Sequence, residues 1–260
     1  MRRINGRSPL TGHGLTMIGP AIVEFGTVAQ CSEHLPKITS GEIKWCQGYS
    51  EPGAGSDLAG LQTKAAVDGD NFIINGQKIW TSGAHRADHI MVLTRTDPDA
   101  PKHRGISFLL CDMNTPGLTV NPIVNMAGDH NFNMITFDNV RVPKKNLVGE
   151  QDRGWYVGAT LLDFERSGVD YSAGARKTLE ELTDYSKSKS LNGKLLADNE
   201  VVRNRLADLA IEVDVSRLIS YYIAWMQSEG LVPNKESSMG KVFGTEIHQH
   251  ISQVGMQMLG

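Results

Sequence analysis

The sequence predicts a multidomain α+β protein. Residues 1–40 read as a partial set of N-terminal helices, 41–150 as an antiparallel β-barrel or two-sheet sandwich, and 151–260 as an incomplete helical bundle. Three observations carry this. Short apolar runs separated by turn dipeptides fill the middle, with no helical period among them. Beyond Gln151 the apolar residues change to helical spacing. The first forty residues hold two short helical patterns, too little to form a core of their own.

The elements follow in order. Thr11 to Gly26 is one candidate helix and Thr27 to Thr39 a second, with Pro36 near its end. Leu61–Val67 and Asn71–Ile74 flank Asp68-Gly69, a two-residue hairpin signal. Asn75-Gly76 predicts another tight turn into Gln77–Ser82. Further strands are expected at Ile90–Thr96, Ile106–Cys111, Leu118–Ile123 and Asn133–Val142, joined through Asp97-Pro98, Thr115-Pro116-Gly117 and Val142-Pro143. Leu161, Phe164, Gly168, Tyr171, Ala175, Leu179 and Leu182 share one helical face. Val202, Leu206, Leu209, Val213, Ser216, Ser220 and Ile223 alternate steps of four and three, a bundle seam. Met239, Phe243, Ile247, Ile251, Val254 and Met258 make a third stripe, and core packing accounts for all three.

Composition narrows the function classes. The chain has 260 residues and a net charge of −3, from 26 Lys and Arg against 29 Asp and Glu. That balance argues against bulk attraction to nucleic acid or anionic lipid. No stretch approaches the roughly 20 apolar residues of a membrane span, and Met1-Arg2-Arg3 leads into no signal-peptide core. Cys31, Cys46 and Cys111 form no metal or redox motif and suit a reducing compartment. A bacterial-type cytoplasmic location is expected, with a mitochondrial matrix as the alternative.

Several motifs fail on detail. Gly53-Ala54-Gly55-Ser56-Asp57-Leu58-Ala59-Gly60 suggests a dinucleotide fingerprint, but Leu58 stands where the third glycine belongs and strands follow. No P-loop or nucleophile elbow occurs. His85 and His89 sit at a turn and a strand start with no glutamate between them and read as exposed histidines, and His248 and His250 point to different faces of a helix, so no metal site is expected. What remains is Ser50-Glu51-Pro52-Gly53-Ala54-Gly55-Ser56-Asp57. Two glycines permit φ > 0 and expose backbone amides, and Ser56 adds a hydroxyl, a fair seat for a pyrophosphate. Lys78-Ile79-Trp80-Thr81-Ser82-Gly83 then offers a flat indole and a hydroxyl two residues on. Taken alone, the first is an ordinary tight turn and Trp80 a core residue.

Together the two motifs resemble the acyl-CoA dehydrogenase family of flavoproteins. The resemblance is carried by Glu51-Pro52-Gly53-Ala54-Gly55-Ser56-Asp57 and Ile74-Asn75-Gly76-Gln77-Lys78-Ile79-Trp80-Thr81-Ser82. Arg104-Gly105-Ile106-Ser107, Phe137-Asp138-Asn139-Val140-Arg141-Val142-Pro143 and Leu162-Asp163-Phe164-Glu165-Arg166 extend it from about Leu15 onward. It implies a helical, β and helical domain order and FAD bound beside the β-domain. Gln47, Tyr49, Ser50, Gly55 and Ser56 would line the cofactor, with Ser50 by the pyrimidine end and Ser56 at the phosphates and the acyl-CoA. Trp80 and Thr81 would flank the ring and Ser82 would bond the N5 region. Many relatives have Thr for Ser50 or Ser82, and serine keeps the donor. Gln257 matches an FAD contact made from a partner subunit, and Asp163 and Arg166 match contacts to the CoA portion.

The resemblance also implies the reaction. A glutamate removes the α-proton of an acyl-CoA thioester while the β-carbon gives a hydride to flavin N5, leaving the trans-2-enoyl-CoA. Family members carry that glutamate at one of two places. One corresponds to Glu165, and the other lies in a segment beyond residue 260. A Glu165 that only pairs with Arg166 is the bland alternative. An electron-transfer flavoprotein is the implied acceptor, within a homo- or hetero-oligomeric dimer or tetramer. Where relatives place Arg and an aromatic residue before a Gly-Lys pair, this chain has Lys189 and Asn192 before Gly193-Lys194, which loses Arg's fork and the aromatic stack. This leaves two further readings: a flavin-binding subunit without its own base, and a truncated chain inactive alone. The type of acyl chain is not legible in these residues.

Overall fold

In the computed structural model the described residues are 12–166 and 169–259, without the side chains of 163–166. They form two compact units, one ending at Leu162 and the other beginning at Asp163.

The first unit opens on a π-helical turn, Gly14–Ile18, that runs into α1, Gly19–Phe25. Helix α2 spans Val28–Ser40. Thr27 caps it in a capping box: its hydroxyl accepts from Gln30 N, and the Gln30 side chain accepts from Thr27 N. The predicted break between the two helices is therefore present. Gly41, left-handed at φ 74°, ends α2.

Eight strands follow: β1 Trp45–Gly48, β2 Lys64–Asp68, β3 Asn71–Lys78, β4 His89–Arg95, β5 Ile106–Asp112, β6 Leu118–Val124, β7 His130–Pro143 and β8 Leu147–Val148. They make one sheet in the order β6-β7-β3-β2-β4-β5-β8, with β1 added beside β4. The α+β class stands as read, but the path is open and not a closed barrel. Most pairings are antiparallel, yet β4 pairs in parallel with β1 and with the start of β2. Strands β4 and β5 are buried on both faces, as their unbroken apolar runs require. Met91 and Leu93 face the N-terminal helices with Ile18, Ile22 and Phe108. Ile90 and Val92 face a second core with Phe72, Ile74, Phe137 and Val142. Burial there pushes the thiols of Cys46 and Cys111 up to about 12 and about 11, so both act as small hydrophobes.

Two turn assignments change. The β2–β3 turn is Gly69-Asp70, one residue later than Asp68-Gly69, because Asp68 pairs with Asn71. Asn75-Gly76 is not a turn. Strand β3 runs through it, with a register shift against β7 between Ile74 and Gly76. Strands β1 and β8, short and without turn dipeptides around them, were not foreseen.

Helix α3, Gly154–Arg166, starts against the edge of β5. A Cβ on Gly154 would lie 2.3 Å from Phe108 N and 2.4 Å from Ser107 C, so only glycine allows this approach. Gly154→Ala is expected to cost about 1–3 kcal/mol through the forced shift. A denaturant midpoint equal to that of the parent would contradict it.

The second unit holds α4 Asp170–Ser188, a small hairpin of β9 Ser190–Leu191 with β10 Lys194–Leu195, α5 Glu200–Ser228 and α6 Asn234–Leu259. Ala175, Leu179, Leu209, Val213, Ile247, Ile251 and Val254 form its core. The α5 seam is buried or half-buried along its predicted length. The α6 stripe is buried only from Ile247 onward, and Met239 is exposed. Steps of four residues drift round a helix of 3.6 residues per turn, and Ser237 and Gly244 take the inward places. The stripe drawn from Leu161 to Leu182 belongs to two helices, since α3 ends at Arg166 and α4 begins at Asp170. Its Gly168 and the side chain of Phe164 lie outside the described residues. No helix among the described residues is long and apolar enough to cross a membrane.

Candidate functional site

The glycine loop leaves β1 at Gly48. Tyr49 and Glu51 are buried, while Pro52, Gly53, Gly55, Ser56 and Asp57 are exposed. Glu51 and Ala54 exchange backbone hydrogen bonds of 2.9 and 3.0 Å, which closes the turn over Pro52-Gly53. Neither Gly53 nor Gly55 has a positive φ. Their use is not the left-handed freedom expected of them but bareness: a Cβ on either would meet nothing within 4 Å. Asp57 pairs with Lys102 at the loop's far end.

The loop stands on a buried strut that the sequence reading passed over. Lys78, fully buried, donates to Glu51 Oε1 at 2.8 Å and to Tyr49 O at 3.0 Å. Glu51 also accepts from Gln62 N at 2.6 Å and Thr63 N at 2.9 Å. Burial pulls the Lys78 ammonium down to about 8, against the attraction of Glu51. Burial works to raise the Glu51 carboxyl, but the Lys78 charge and the bonds from Lys78, Gln62 and Thr63 hold it below the usual carboxylate range. The available signal was period two: Phe72 and Ile74 face inward on β3, and Lys78 continues that face.

The Trp-Thr-Ser turn lies directly beside the loop, with Ile79 N donating to Ser50 O at 2.8 Å. Trp80 is not a core residue. It takes a left-handed φ of 60° and is 58% exposed. A bulky residue in that region is strained, and such strain collects at functional sites. Thr81 is buried, and its Oγ1 has no hydrogen-bond partner. Ser82, half-buried, opens onto a cavity of about 380 Å³ lined also by Leu15, Ile38, Trp45, Gly83 and Arg86. Gln47 lies on β1, half-buried, opposite Met91. A flat ring system bearing anionic phosphates would meet an exposed indole at Trp80 and the at least partly exposed hydroxyls of Ser50, Ser56 and Ser82.

Other residues named from the sequence lie elsewhere in the chain. Asp163, Glu165 and Arg166 belong to the last turn of α3, and their side chains are outside the described residues. Gln257 is exposed on α6 in the second unit. Asn192 takes φ 51° and Gly193 φ 77°, the tip of the β9–β10 hairpin. An Asn-Gly pair suits the left-handed backbone of such a two-residue hairpin turn. His85 is exposed as expected, but it stacks on His130 at 4.2 Å. His89 starts β4, at the strand start read from the sequence, but it is half-buried and stacks on Trp45 at 4.8 Å.

Comparison with known proteins supplies the frame. Residues 46–140 match the acyl-CoA dehydrogenase middle-domain model and residues 152–260 the acyl-CoA dehydrogenase C-terminal-domain model. The acyl-CoA dehydrogenase FadE34 of Mycobacterium tuberculosis is 38% identical over 242 residues, which is 92% of this chain and 33% of that protein. The ChsE4–ChsE5 complex from the same species aligns with TM-score 0.86 and 37% identity, covering 97% of this chain and 65% of that one. The Tcur3481–Tcur3483 steroid ACAD aligns with TM-score 0.84 and 34% identity, over 95% of this chain and 63% of that one. The chain thus spans between a third and two-thirds of the length of these relatives, and over that span it belongs to the acyl-CoA dehydrogenase family.

Proposed function

We propose that the chain carries the flavin-binding and base-bearing parts of an FAD-dependent acyl-CoA dehydrogenase, which converts an acyl-CoA thioester to the trans-2-enoyl-CoA. The observation that carries this is the Trp80 turn: an exposed indole in a strained left-handed conformation, next to a buried unpaired hydroxyl and hydrogen-bonded to the glycine loop. FAD, when bound, supplies the hydride acceptor. Gln47, Tyr49, Ser50, Gly55 and Ser56 hold it along the loop, and Trp80, Thr81 and Ser82 along the turn. Gln257 reaches it from a second copy or a homologous subunit. Ser56, Asp163 and Arg166 bind the acyl-CoA. Glu165 takes the α-proton, and the indole and loop keep water from the reacting carbons. The acceptor is an electron-transfer flavoprotein. Assembly with a homologous chain is supported by the two-component relatives.

A second reading is a flavin-binding subunit whose partner holds the base. Lys189 and Asn192, which replace an arginine fork and an aromatic stack, favour it. One experiment separates the two. The purified chain, titrated with FAD, is expected to show the visible absorbance of bound flavin. Under anaerobic conditions, steroid side-chain, branched or straight acyl-CoA is then added. Bleaching by any of them supports the enzyme reading. Flavin that binds but is never bleached favours the subunit reading, and a chain that takes up no flavin refutes both.

A further inference from the structure

The proposed flavin wall depends on a residue on the opposite strand. β3 and β7 pair in continuous register from Gly76 with Phe137 to Lys78 with Ile135. The next contacts are Thr81 N to Asn133 O at 3.0 Å and Gly83 N to Asn131 O at 2.8 Å. Three residues advance on the β3 side for two on β7, so one residue is extruded between the contacts, and Trp80 is the one with a left-handed φ. The earlier register shift has the opposite sense: its extra residue is on β7, where Asn139 takes φ 51°. The two bulges compensate, and the second turns an indole out to solvent.

Thr81 is gripped on both sides of its Cα, through its own N–H and its own carbonyl. Its N–H donates to Asn133 O, and its carbonyl accepts from Asn133 Nδ2 at 3.0 Å. Asn133 is fully buried, and the rest of its amide is used as well. Oδ1 accepts from His130 Nε2 at 2.8 Å, while Nδ2 also faces His85 Nδ1 at 3.3 Å and Asn131 O at 3.4 Å. These bonds set the tautomers, with His130 protonated at Nε2 and His85 bare at Nδ1. The two rings stack at 4.2 Å with an interplanar angle of 27°, so each orients the other. Phe132, next to Asn133, meets the Trp80 ring edge-on at 6.1 Å.

We propose that Asn133 is the positioning residue of the flavin-facing turn: its carbonyl and amide clamp Thr81, this holds Trp80 extruded in its left-handed conformation, and the His85–His130 stack sets the Asn133 amide. The inference rests on the functional reading above for what Trp80 faces, but the clamp itself is testable without flavin. Asn133 touches neither cofactor nor substrate in this account and acts through Thr81.

The test uses the full chain labelled with 5-fluorotryptophan, with the Trp80 fluorine resonance assigned by its loss in Trp80→Phe. In Asn133→Ala and in His130→Leu the Trp80 signal is expected to move or split while those of Trp45, Trp155 and Trp225 stay in place. His130→Gln, which keeps a donor toward Asn133, is expected to leave Trp80 near its original position. FAD titration gives the second readout. Asn133→Ala is expected to weaken FAD binding about tenfold, through loss of the held conformation. In a Trp80→Gly background the same change is expected to cost less than about twofold, because glycine takes the left-handed region without a clamp. A Trp80 signal unmoved in Asn133→Ala and His130→Leu, or equal losses of FAD affinity in both backgrounds, overturns the proposal. If all four signals move in Asn133→Ala, the exposed-site variant His130→Leu decides alone. A parent chain that binds no FAD refutes the functional reading, and the flavin-free fluorine signals still decide the clamp.

Discussion

Lys78→Met is expected to destabilise the first unit by about 3–5 kcal/mol, the cost of leaving a buried carboxylate without its partner. Lys78 is fully buried and Glu51 nearly so, and their contact is 2.8 Å. Removing only the cation strands Glu51 among backbone donors that are too few to replace it. Replacing both, as Glu51→Gln with Lys78→Met, is expected to recover much of the loss, because the desolvation cost of two charges goes with them. Urea midpoints of the two variants test this, and a single variant within about 1 kcal/mol of the parent would refute it. The pair also predicts an acid limb. Glu51 titrates below its unfolded value, so the folded state binds fewer protons than the unfolded chain as pH falls through the carboxylate range. Stability present above the unfolded carboxylate pKa is lost as pH drops toward the folded one. Lys78→Met should flatten that limb. The same strut holds Tyr49 at the loop's start through its carbonyl.

Glu165→Gln is expected to keep FAD binding and acyl-CoA affinity while slowing flavin bleaching by about 10²–10⁴-fold, the usual worth of a positioned general base. Glutamine preserves shape and hydrogen bonding but cannot accept the α-proton. The measurement is anaerobic stopped-flow reduction at saturating acyl-CoA, with flavin absorbance as a control for occupancy. Unchanged bleaching would remove Glu165 from the base role. Loss of acyl-CoA affinity at unchanged reduction rate would mark it as a binding group.

Much of the fold was legible because periodicity and punctuation are local properties. The helical pattern beginning at Thr27 gives α2, the short apolar runs give β4 and β5, and the alternating steps of four and three give the α5 bundle seam. The misreadings have local causes too. Asn75-Gly76 has turn chemistry, yet the long pairing of β3 with β7 outweighs it and absorbs the pair as a bulge. Strand β1 has only four residues and is recruited in parallel by β4, a contact no nearby residue signals. The α6 stripe was drawn with steps of four, which the helix does not follow. At the candidate site, the loop and the Trp80 turn were named from their order in the chain. Lys78 and Asn133 were not, because a lone charged or amide residue in a strand shows its role only through a partner far away in sequence.

The sequence by itself determined the α+β class and the family, and it singled out the two segments on which the proposed flavin contacts rest, since these depend on residue order and short-range spacing. Only the tertiary structure decided how those segments are held. A carboxylate in a loop and an ammonium on a strand become a strut when folding excludes water around both and leaves each the other's best partner. A tryptophan becomes an exposed wall when the opposite strand advances by one residue less and forces it out. Both facts arise from pairing across the sheet, and register across a sheet is a property of two strands together.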